Sequence, residues 1–286
     1  MSVVSPTAAL AWRRALEAWA IPEAILDKAP ESPWGFPVEL FARRAEHAAT
    51  RSTPSNARAL EALPVSGSVL DVGCGAGAAS MPLTGRAKAL VGVDPSPAML
   101  EAFLRQAGAA GVDVEIVEGT WPDASARTPS ADVVVCHHVV YNVAPLPTFV
   151  RALTEHGRQR VILELTAEHP LSADNDLWLR FHGLRRPTGP TADDAVAVLR
   201  EAGVHPERED WVSESVAGFS RREDLVAWIR RRLCLPPERD PEVDEALSGR
   251  IVEREGGFGF PPRDVVTLWW DRSKTEGTVP PAEHDR

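Results

Sequence analysis

Residues 68–77 have the sequence SVLDVGCGAG, a short apolar run followed at once by a loop with three glycines at alternate positions. An apolar run of this length that ends at a glycine is typical of a buried strand entering a turn. Glycine lets the backbone turn tightly and approach a ligand that a Cβ would obstruct. Residues 73–78 also fit the loose GxGxxG/A pattern of dinucleotide-binding folds, which is a weak indication on its own. The stretch therefore predicts a strand, a glycine loop and a ligand close to the loop backbone.

Further strands and helices alternate after this loop. Apolar or alternating runs predict strands at 68–72, 87–93, 112–116, 131–136, 160–165, 207–212 and 264–270. A helix follows the second of these, with Ser96 as its N-cap and Pro97 at its first position. Because strands that alternate with helices usually form parallel sheets, we predict an α/β fold with a mostly parallel sheet.

Three other segments flank or interrupt this pattern. Residues 1–64 contain helical stretches broken by prolines and no strand candidate, which predicts an N-terminal helical cap on a domain at 65–271. Residues 219–251 predict a helical insert before the last strand, opened by a capping box of Ser220 and Glu223. Residues 272–286 are polar with paired prolines, and we predict a mobile tail there.

Composition excludes several classes of protein. The formal charge of −10 disfavours nucleic acid as a partner, since phosphate binding needs clustered lysine and arginine. No apolar run reaches about 18 residues and no signal-peptide pattern occurs, so we expect a cytoplasmic protein without membrane association. The three cysteines lack CxxC spacing, which indicates neither a disulfide framework nor a metal site. Nothing in the sequence indicates an oligomeric state.

Two carboxylates narrow the class of ligand. Asp71 lies two residues before Gly73, where a dinucleotide fold usually carries an apolar residue. Asp94 ends the second predicted strand, where its carboxylate could accept hydrogen bonds from both hydroxyls of a ribose. Together they favour an adenosine-type cofactor other than a dinucleotide.

These residues belong to motifs that resemble a known family. Residues 69–77 look like the first signature motif of class I S-adenosylmethionine-dependent methyltransferases, and residues 91–100, VGVDPSPAML, look like the second. Residues 118–121, EGTW, follow the third predicted strand, and residues 132–138, DVVVCHH, resemble the fourth motif. The resemblance covers about 65–213 and 264–270. It implies a Rossmann-like, seven-stranded, mostly parallel sheet with an antiparallel last strand, and S-adenosylmethionine as cofactor.

The resemblance also implies roles for individual residues. Asp71 and the backbone of the glycine loop would hold the methionine part of the cofactor, and Asp94 would bind the ribose hydroxyls. The other implied cofactor contacts are Gly73, Cys74, Gly75 and Gly77 in the loop, Pro95, Met99, Gly119, Thr120 and Trp121 around the adenine, and Cys136 and His137 near the sulfonium.

Candidates for the chemistry follow the fourth predicted strand. His138 is the candidate general base, because an unperturbed imidazole titrates near neutrality. Tyr141, the only tyrosine of the chain, is a candidate to orient the acceptor or the cofactor. The histidines could instead satisfy backbone groups of the loop. A base is needed mainly for a hydroxyl or a protonated amine as acceptor.

Aromatic and basic residues suggest an acceptor pocket. Trp34, Phe36 and Phe41 could close it from above or simply pack between cap and sheet. The insert carries arginines at 221, 222 and 230–232. They could recognise an anionic acceptor, but a solvated helix face is the interpretation we favour.

We therefore predict a methyltransferase that acts on a small molecule. A non-catalytic protein that binds S-adenosylmethionine or S-adenosylhomocysteine explains the same motifs, because methyl transfer needs no obligatory catalytic residue. A nucleotide-dependent oxidoreductase explains the glycine loop but leaves Asp71 and the segment after strand four unexplained. A nucleic-acid methyltransferase is disfavoured by the charge and by the lack of an Asn-Pro-Pro-Tyr type motif after strand four.

Overall fold

The structure is a computed structural model that describes residues 7–34, 37–214, 218–254 and 256–272. The α-helices are α1 (Ala8–Glu17), α2 (Glu23–Leu26), α3 (Val38–Ala49), α4 (Pro54–Ala62), α5 (Pro97–Ala110), α6 (Leu146–His156), α7 (Asn175–His182), α8 (Ala192–Glu201), α9 (Arg222–Arg232) and α10 (Asp240–Ala246). The strands are β1 (Gly67–Val72), β2 (Ala87–Asp94), β3 (Asp113–Glu118), β4 (Ala131–His137), β5 (Gly157–Thr166), β6 (Glu207–Val212), β7 (Val252–Arg254), β8 (Gly257–Gly259) and β9 (Asp264–Asp271).

Seven strands form one sheet in the order β3-β2-β1-β4-β5-β9-β6. The first five strands of this sheet are parallel to one another, and β9 runs antiparallel to both β5 and β6. The predicted Rossmann-like sheet with an antiparallel last strand is therefore confirmed. In such a sheet the strand order reverses beside the first strand, and ligands bind there, outside the carboxyl ends of the strands.

Helices cover both faces of the sheet. One face packs against α1, α6 and α8, where Trp12 and Phe149 are among the largest fully buried side chains. The other face packs against α4 and α5 and against a single 3-10 turn at Met81–Leu83. Between β1 and β2 the chain forms this turn and no longer helix. Helix α4, which precedes β1 in the chain, covers this face of the sheet instead.

The N-terminal helices thus differ in what they cover. Leu63, at the end of α4, is fully buried under the sheet, whereas α3 packs on α5 and on the glycine loop through Ala45. The predicted boundary between a cap and a domain at residue 64 stays a prediction. Phe36 lies outside the described residues, as does the predicted tail from residue 273 onward.

The insert before β9 contains α9 and α10, as predicted, and also a small antiparallel hairpin of β7 and β8 that we did not predict. The predicted capping box is wrong. Helix α9 begins at Arg222 after Arg221, no side chain caps it, and Arg221 binds Glu223 instead. Ser220 is held out of the cap position because its neighbour Phe219 is bridged to Phe258 of the hairpin. Among the described residues, no helix combines the length and apolarity that a bilayer span requires.

Candidate cofactor and acceptor site

The glycine loop after β1 has a backbone conformation that residues with side chains rarely adopt. Gly73, Gly75 and Gly77 have φ of +71°, +50° and +98°. A Cβ on Gly73 would lie 2.4 Å from Cγ2 of Val139, which follows β4. The loop therefore packs directly against the segment after β4, and its glycines satisfy both a conformational and a steric requirement.

Asp94 joins this loop to the start of α5. Its Oδ2 accepts a hydrogen bond of 3.0 Å from the amide of Gly75, and its Oδ1 accepts one of 2.9 Å from the amide of Ser96. Each carboxylate oxygen has a further lone pair for a hydroxyl donor. Ser96 also caps α5 as predicted, since its hydroxyl accepts from the amide of Met99. The carboxylate is therefore fixed at the mouth of the loop.

Asp71 lies deeper, with only 1% of its surface exposed. Its Oδ2 accepts a hydrogen bond of 2.7 Å from the hydroxyl of Ser80. Burial raises the pKa of Asp71 to about 7, and the charge of Asp94 adds to the increase although the Ser80 hydrogen bond opposes it. A cation bound beside Asp71 would relieve this unfavourable burial of charge.

The raised pKa of Asp71 predicts a pH-dependent stability. The folded protein holds this proton more tightly than the unfolded chain, whose carboxyl has the ordinary pKa of 3.8, so the Asp71 contribution falls as pH rises through roughly 4 to 7. We expect the free energy of unfolding of the wild type, minus that of Asp71→Asn, to decrease over this range. Urea unfolding of both proteins at several pH values measures it, and a difference that increases with pH contradicts the buried acid.

The residues implied for the adenine side lie around the ends of β2 and β3. Pro95 is exposed, while Met99 is buried in the first turn of α5. Gly119 has a φ of +150° and donates its amide to the carbonyl of Asp94, which ties the two strand ends together. Thr120 is exposed and bonds Asp123. These four positions share one edge of the sheet.

Three of the implied contacts have side chains that point into the core. Trp121 is buried, and its indole nitrogen donates to the carbonyl of Phe149. Cys74 and Cys136 are buried on opposite faces of the sheet, and burial raises the pKa of both thiols. Only the backbone of these two cysteines can therefore face a ligand at the loop. Their contact with the cofactor stays a prediction, and it is limited to backbone atoms.

His138 is paired with a carboxylate that sequence analysis missed. His138 has a left-handed backbone, with a φ of +59°, and its Nε2 lies 3.0 Å from Oε1 of Glu164. Nδ1 of His137 lies 3.7 Å from the other oxygen of the same carboxylate. Burial alone would raise the pKa of Glu164, but the His137 charge and the His138 hydrogen bond outweigh it and lower that pKa.

The two histidines differ in environment. Burial lowers the pKa of His137, and its Nε2 is buried without a hydrogen-bond partner in the described part of the chain. The side chain of His138 is 47% exposed, so its Nδ1 is open to an acceptor. The sequence offered one indication of Glu164: it is a polar residue directly after the apolar run 161–163. That run ends at the same edge of the sheet as His137.

Tyr141 is held by Thr166 at the end of β5. Its hydroxyl accepts a short hydrogen bond from the amide of Thr166 and lies 2.8 Å from the Thr166 hydroxyl. Burial raises the pKa of Tyr141 to about 12. With its hydroxyl occupied in this way, Tyr141 fits a positioning role for the segment after β4 better than a role as proton acceptor.

Phe41 lies against the glycine loop, since its Cδ1 is 3.6 Å from the Cβ position of Gly75. Trp34, by contrast, is 52% exposed. No group of three or more histidine, cysteine, aspartate or glutamate residues is arranged for a metal ion within the ranges that the structure describes.

Known proteins show the same domain. A family model described as a methyltransferase domain matches residues 69–159, from the middle of β1 to the start of β5. The ubiquinone biosynthesis O-methyltransferase of Azorhizobium caulinodans is 37% identical over 87 residues, or 30% of this chain and 34% of that protein. The protein of the same name from Methylobacterium nodulans is 36% identical over 92 residues, or 32% and 35% of the two chains. The matched region is thus about a third of these curated relatives.

A solved structure extends the similarity to the fold. The YcgJ protein from Bacillus subtilis matches with a TM-score of 0.50 and 20% identity, over 76% of this chain and 97% of that one. The sheet order, the loop geometry and the matched family model agree. Residues 69–159 of the chain thus match a methyltransferase domain, and the fold around them is similar to that of the YcgJ protein.

Proposed function

We propose that this protein transfers the methyl group of S-adenosylmethionine to a small-molecule acceptor that lies beside His138. The observation that carries the proposal is the connection between the glycine loop and the end of β4. Val139, which adjoins His138, lies against the Cβ position of Gly73, so the cofactor cradle and the candidate base are neighbours. The names of the curated relatives, which are O-methyltransferases, support a hydroxyl as the acceptor group.

The loop fits the cofactor in three respects. A Cβ on Gly73 would fill the space where the backbone approaches Val139, so the path of the loop depends on glycine. The Asp94 carboxylate is fixed and has lone pairs left for the ribose. The buried charge of Asp71 suits a cationic amino group. The assignment of these residues to parts of the cofactor rests on the family resemblance.

Methyl transfer requires the protein to align the acceptor with the methyl carbon and to exclude water, and little else. When bound, S-adenosylmethionine supplies a methyl carbon made electrophilic by its sulfonium. Glu164 accepts the Nε2–H of His138, which fixes the tautomer of the imidazole and leaves Nδ1 free to take a proton from an acceptor hydroxyl. Tyr141 keeps the segment that carries His138 in place through its bonds to Thr166.

His138→Asn tests the proposed base, and asparagine tolerates the left-handed backbone of this position. We expect methyl transfer to fall by about 10²–10⁴-fold while the affinity for S-adenosylhomocysteine is unchanged, because only proton transfer is lost. Transfer of label from tritiated S-adenosylmethionine to a panel of small hydroxylated acceptors measures the rate.

The matched control is His205→Asn, since His205 is exposed in the turn before β6. It should keep the wild-type rate. Equal rates for His138→Asn and the wild type would contradict the base role. A wild-type protein that binds S-adenosylhomocysteine but labels none of the acceptors would favour the non-catalytic binding protein over the enzyme.

We also propose a cytoplasmic location and a partner set limited to small molecules. All three cysteines of the chain are free and buried, as expected where thiols stay reduced. The formal charge of −10 supports the absence of a nucleic-acid partner.

A further inference from the structure

Three arginines from distant parts of the chain lie around one region of the molecule, here called the cleft. Arg44 lies on α3, Arg232 ends α9, and Arg263 directly precedes β9. The apolar residues of these segments belong to a single buried cluster that also includes α7. Because Val265 of β9 pairs with Thr166 at the end of β5, Arg263 lies at the carboxyl edge of the sheet, the edge of the glycine loop.

Aromatic rings position the three guanidinium groups. The Cζ of Arg232 lies 4.6 Å from the ring centroid of Trp228, and the Cζ of Arg263 lies 5.9 Å from that of Phe260. The centroids of these two rings are 5.9 Å apart, so Trp228 and Phe260 form one aromatic wall with a guanidinium group at each end. Stacking on rings holds a guanidinium in place without neutralising its charge.

The three arginines lack an ion-pair partner in the part of the chain that the structure describes. Within the described residues, Arg44, Arg232 and Arg263 make no ion pair, and the side chain of Arg263 bonds only the carbonyl of Pro170, at 3.4 Å. Asp174 also makes no ion pair among the described residues, but its charge reaches Arg232 and raises the pKa of that guanidinium against the larger effect of burial. Burial raises the pKa of the Asp174 carboxyl, and Arg232 and Arg263 oppose this increase.

The other arginines of the insert behave differently. Arg221 and Arg222 pair with Glu223 and Asp244 at the surface, as a solvated helix face requires. Arg230 is buried between two carboxylates, those of Glu31 and Asp240. The lack of an ion pair is therefore not a general property of the arginines of α9 and its first turn.

Neighbouring positive charges act on Arg44 from the other two segments. The side chain is exposed to water, yet burial together with the charges of Arg263 and Arg232 lowers its pKa to about 10. Burial also lowers the pKa of Arg232. Arg232 and Arg263 are half-buried and Arg44 is exposed, so the three guanidinium groups are accessible to a ligand from solvent.

The cleft adjoins the proposed methyl-transfer site on two sides. Arg44 lies over the ring of Phe41, with its Cζ 5.6 Å from the ring centroid, and Phe41 lies beside Gly75 of the loop. On the other side, Arg263 is near enough to Tyr141 to lower the pKa of its phenol, against the larger effect of burial. An acceptor that reached His138 would extend into this cleft.

We propose that the methyl acceptor is a small organic anion, and that Arg44, Arg232 and Arg263 bind its carboxylate or phosphate group beside the wall of Trp228 and Phe260. This inference rests on the proposed function, because it assigns the acceptor of the same site. An aromatic or apolar body would contact the two rings, while the anionic group would supply the missing counter-charge.

Calorimetric titration of the full chain saturated with S-adenosylhomocysteine tests the proposal. The probes are benzoate and phenyl phosphate, with benzamide as the uncharged analogue. We expect at least one anion to bind, and benzamide to bind at least about tenfold more weakly. Arg44→Gln and Arg263→Gln should each weaken binding of that anion by about tenfold, because each removes a charge-assisted contact. Arg222→Gln, which breaks a surface pair with Asp244, is the matched control and should leave it unchanged.

Each other outcome overturns the proposal. Binding of benzamide as tightly as the anions would show that charge is not recognised. Equal anion affinities for the wild type, Arg44→Gln and Arg263→Gln would place the anion elsewhere. If neither anion binds to a protein that does bind S-adenosylhomocysteine, the anionic acceptor is wrong and the methyltransferase proposal stands. If S-adenosylhomocysteine itself does not bind, the proposed function fails, and the assignment of the cleft fails with it.

Discussion

Replacing Asp94 with alanine should weaken the binding of S-adenosylhomocysteine by about 100-fold or more. The carboxylate is the proposed acceptor for two ribose hydroxyls, and a hydrogen bond to a charged group contributes about 1.5–3 kcal/mol. Its loss also leaves the amides of Gly75 and Ser96 without their acceptor, which loosens the mouth of the loop. Calorimetric titration of the purified variant measures the change.

Asp113→Ala is the matched control for this experiment. Asp113 is an exposed carboxylate at the start of β3, the end of the sheet opposite the glycine loop. Its removal changes the net charge equally but should leave the affinity within about twofold of the wild type. If Asp94→Ala bound S-adenosylhomocysteine as well as Asp113→Ala does, the role of Asp94 would be wrong.

Gly73→Ala should destabilise the protein by about 2–4 kcal/mol and also reduce cofactor binding. The φ of +71° costs an alanine about 1–2 kcal/mol, and its Cβ would lie 2.4 Å from Cγ2 of Val139, so the loop or the segment after β4 must move. Urea unfolding, followed by tryptophan fluorescence, gives the free energy of unfolding. A titration with S-adenosylhomocysteine then reports on the displaced loop.

Gly85→Ala is the matched control on the same connection between β1 and β2. Gly85 does not have a positive φ, and no atom lies within 4 Å of its Cβ position. Alanine there should change the free energy of unfolding by no more than about 0.5 kcal/mol. Equal stabilities for Gly73→Ala and Gly85→Ala would contradict the steric requirement that we assign to Gly73.

The sheet could be predicted from the sequence because its information is local. Each parallel strand is a short run of apolar or alternating residues, and Ser96 and Gly73 mark where α5 and the glycine loop begin. The hairpin of β7 and β8 could not be predicted in this way. Its strands have three residues each and contain two glycines, so they show no alternation.

The site could be predicted only in the part that is contiguous in sequence. The loop and Asp94 lie within residues 71–94, from the end of β1 to the end of β2. The partner of His138 comes instead from the next strand of the sheet, and it depends on the register that places His137 opposite Glu164. The three arginines of the cleft lie even further apart in the sequence, so their proximity could not be predicted from it. Arg232 belongs to a run of three arginines, and only the packing of α9 shows that it lies over the ring of Trp228 without an ion pair to any described residue.

The N-terminal region shows a further limit of sequence patterns. A helical pattern predicts that α4 forms, but it does not show what the helix covers. In the structure α4 lies under β4, β5 and β9, where Ser55 bonds Thr267 at 2.7 Å and lowers the pKa of Glu164 by a hydrogen bond. A helix that precedes the sheet in sequence therefore supports the carboxylate that fixes His138.

The central claim is that the loop at residues 71–77 together with Asp94 binds S-adenosylmethionine rather than a dinucleotide. Parallel calorimetric titrations of the wild-type chain with S-adenosylhomocysteine and with NAD test it most directly. We predict that S-adenosylhomocysteine binds at a single site and that NAD produces no saturable heat. Saturable binding of NAD without binding of S-adenosylhomocysteine would contradict the claim.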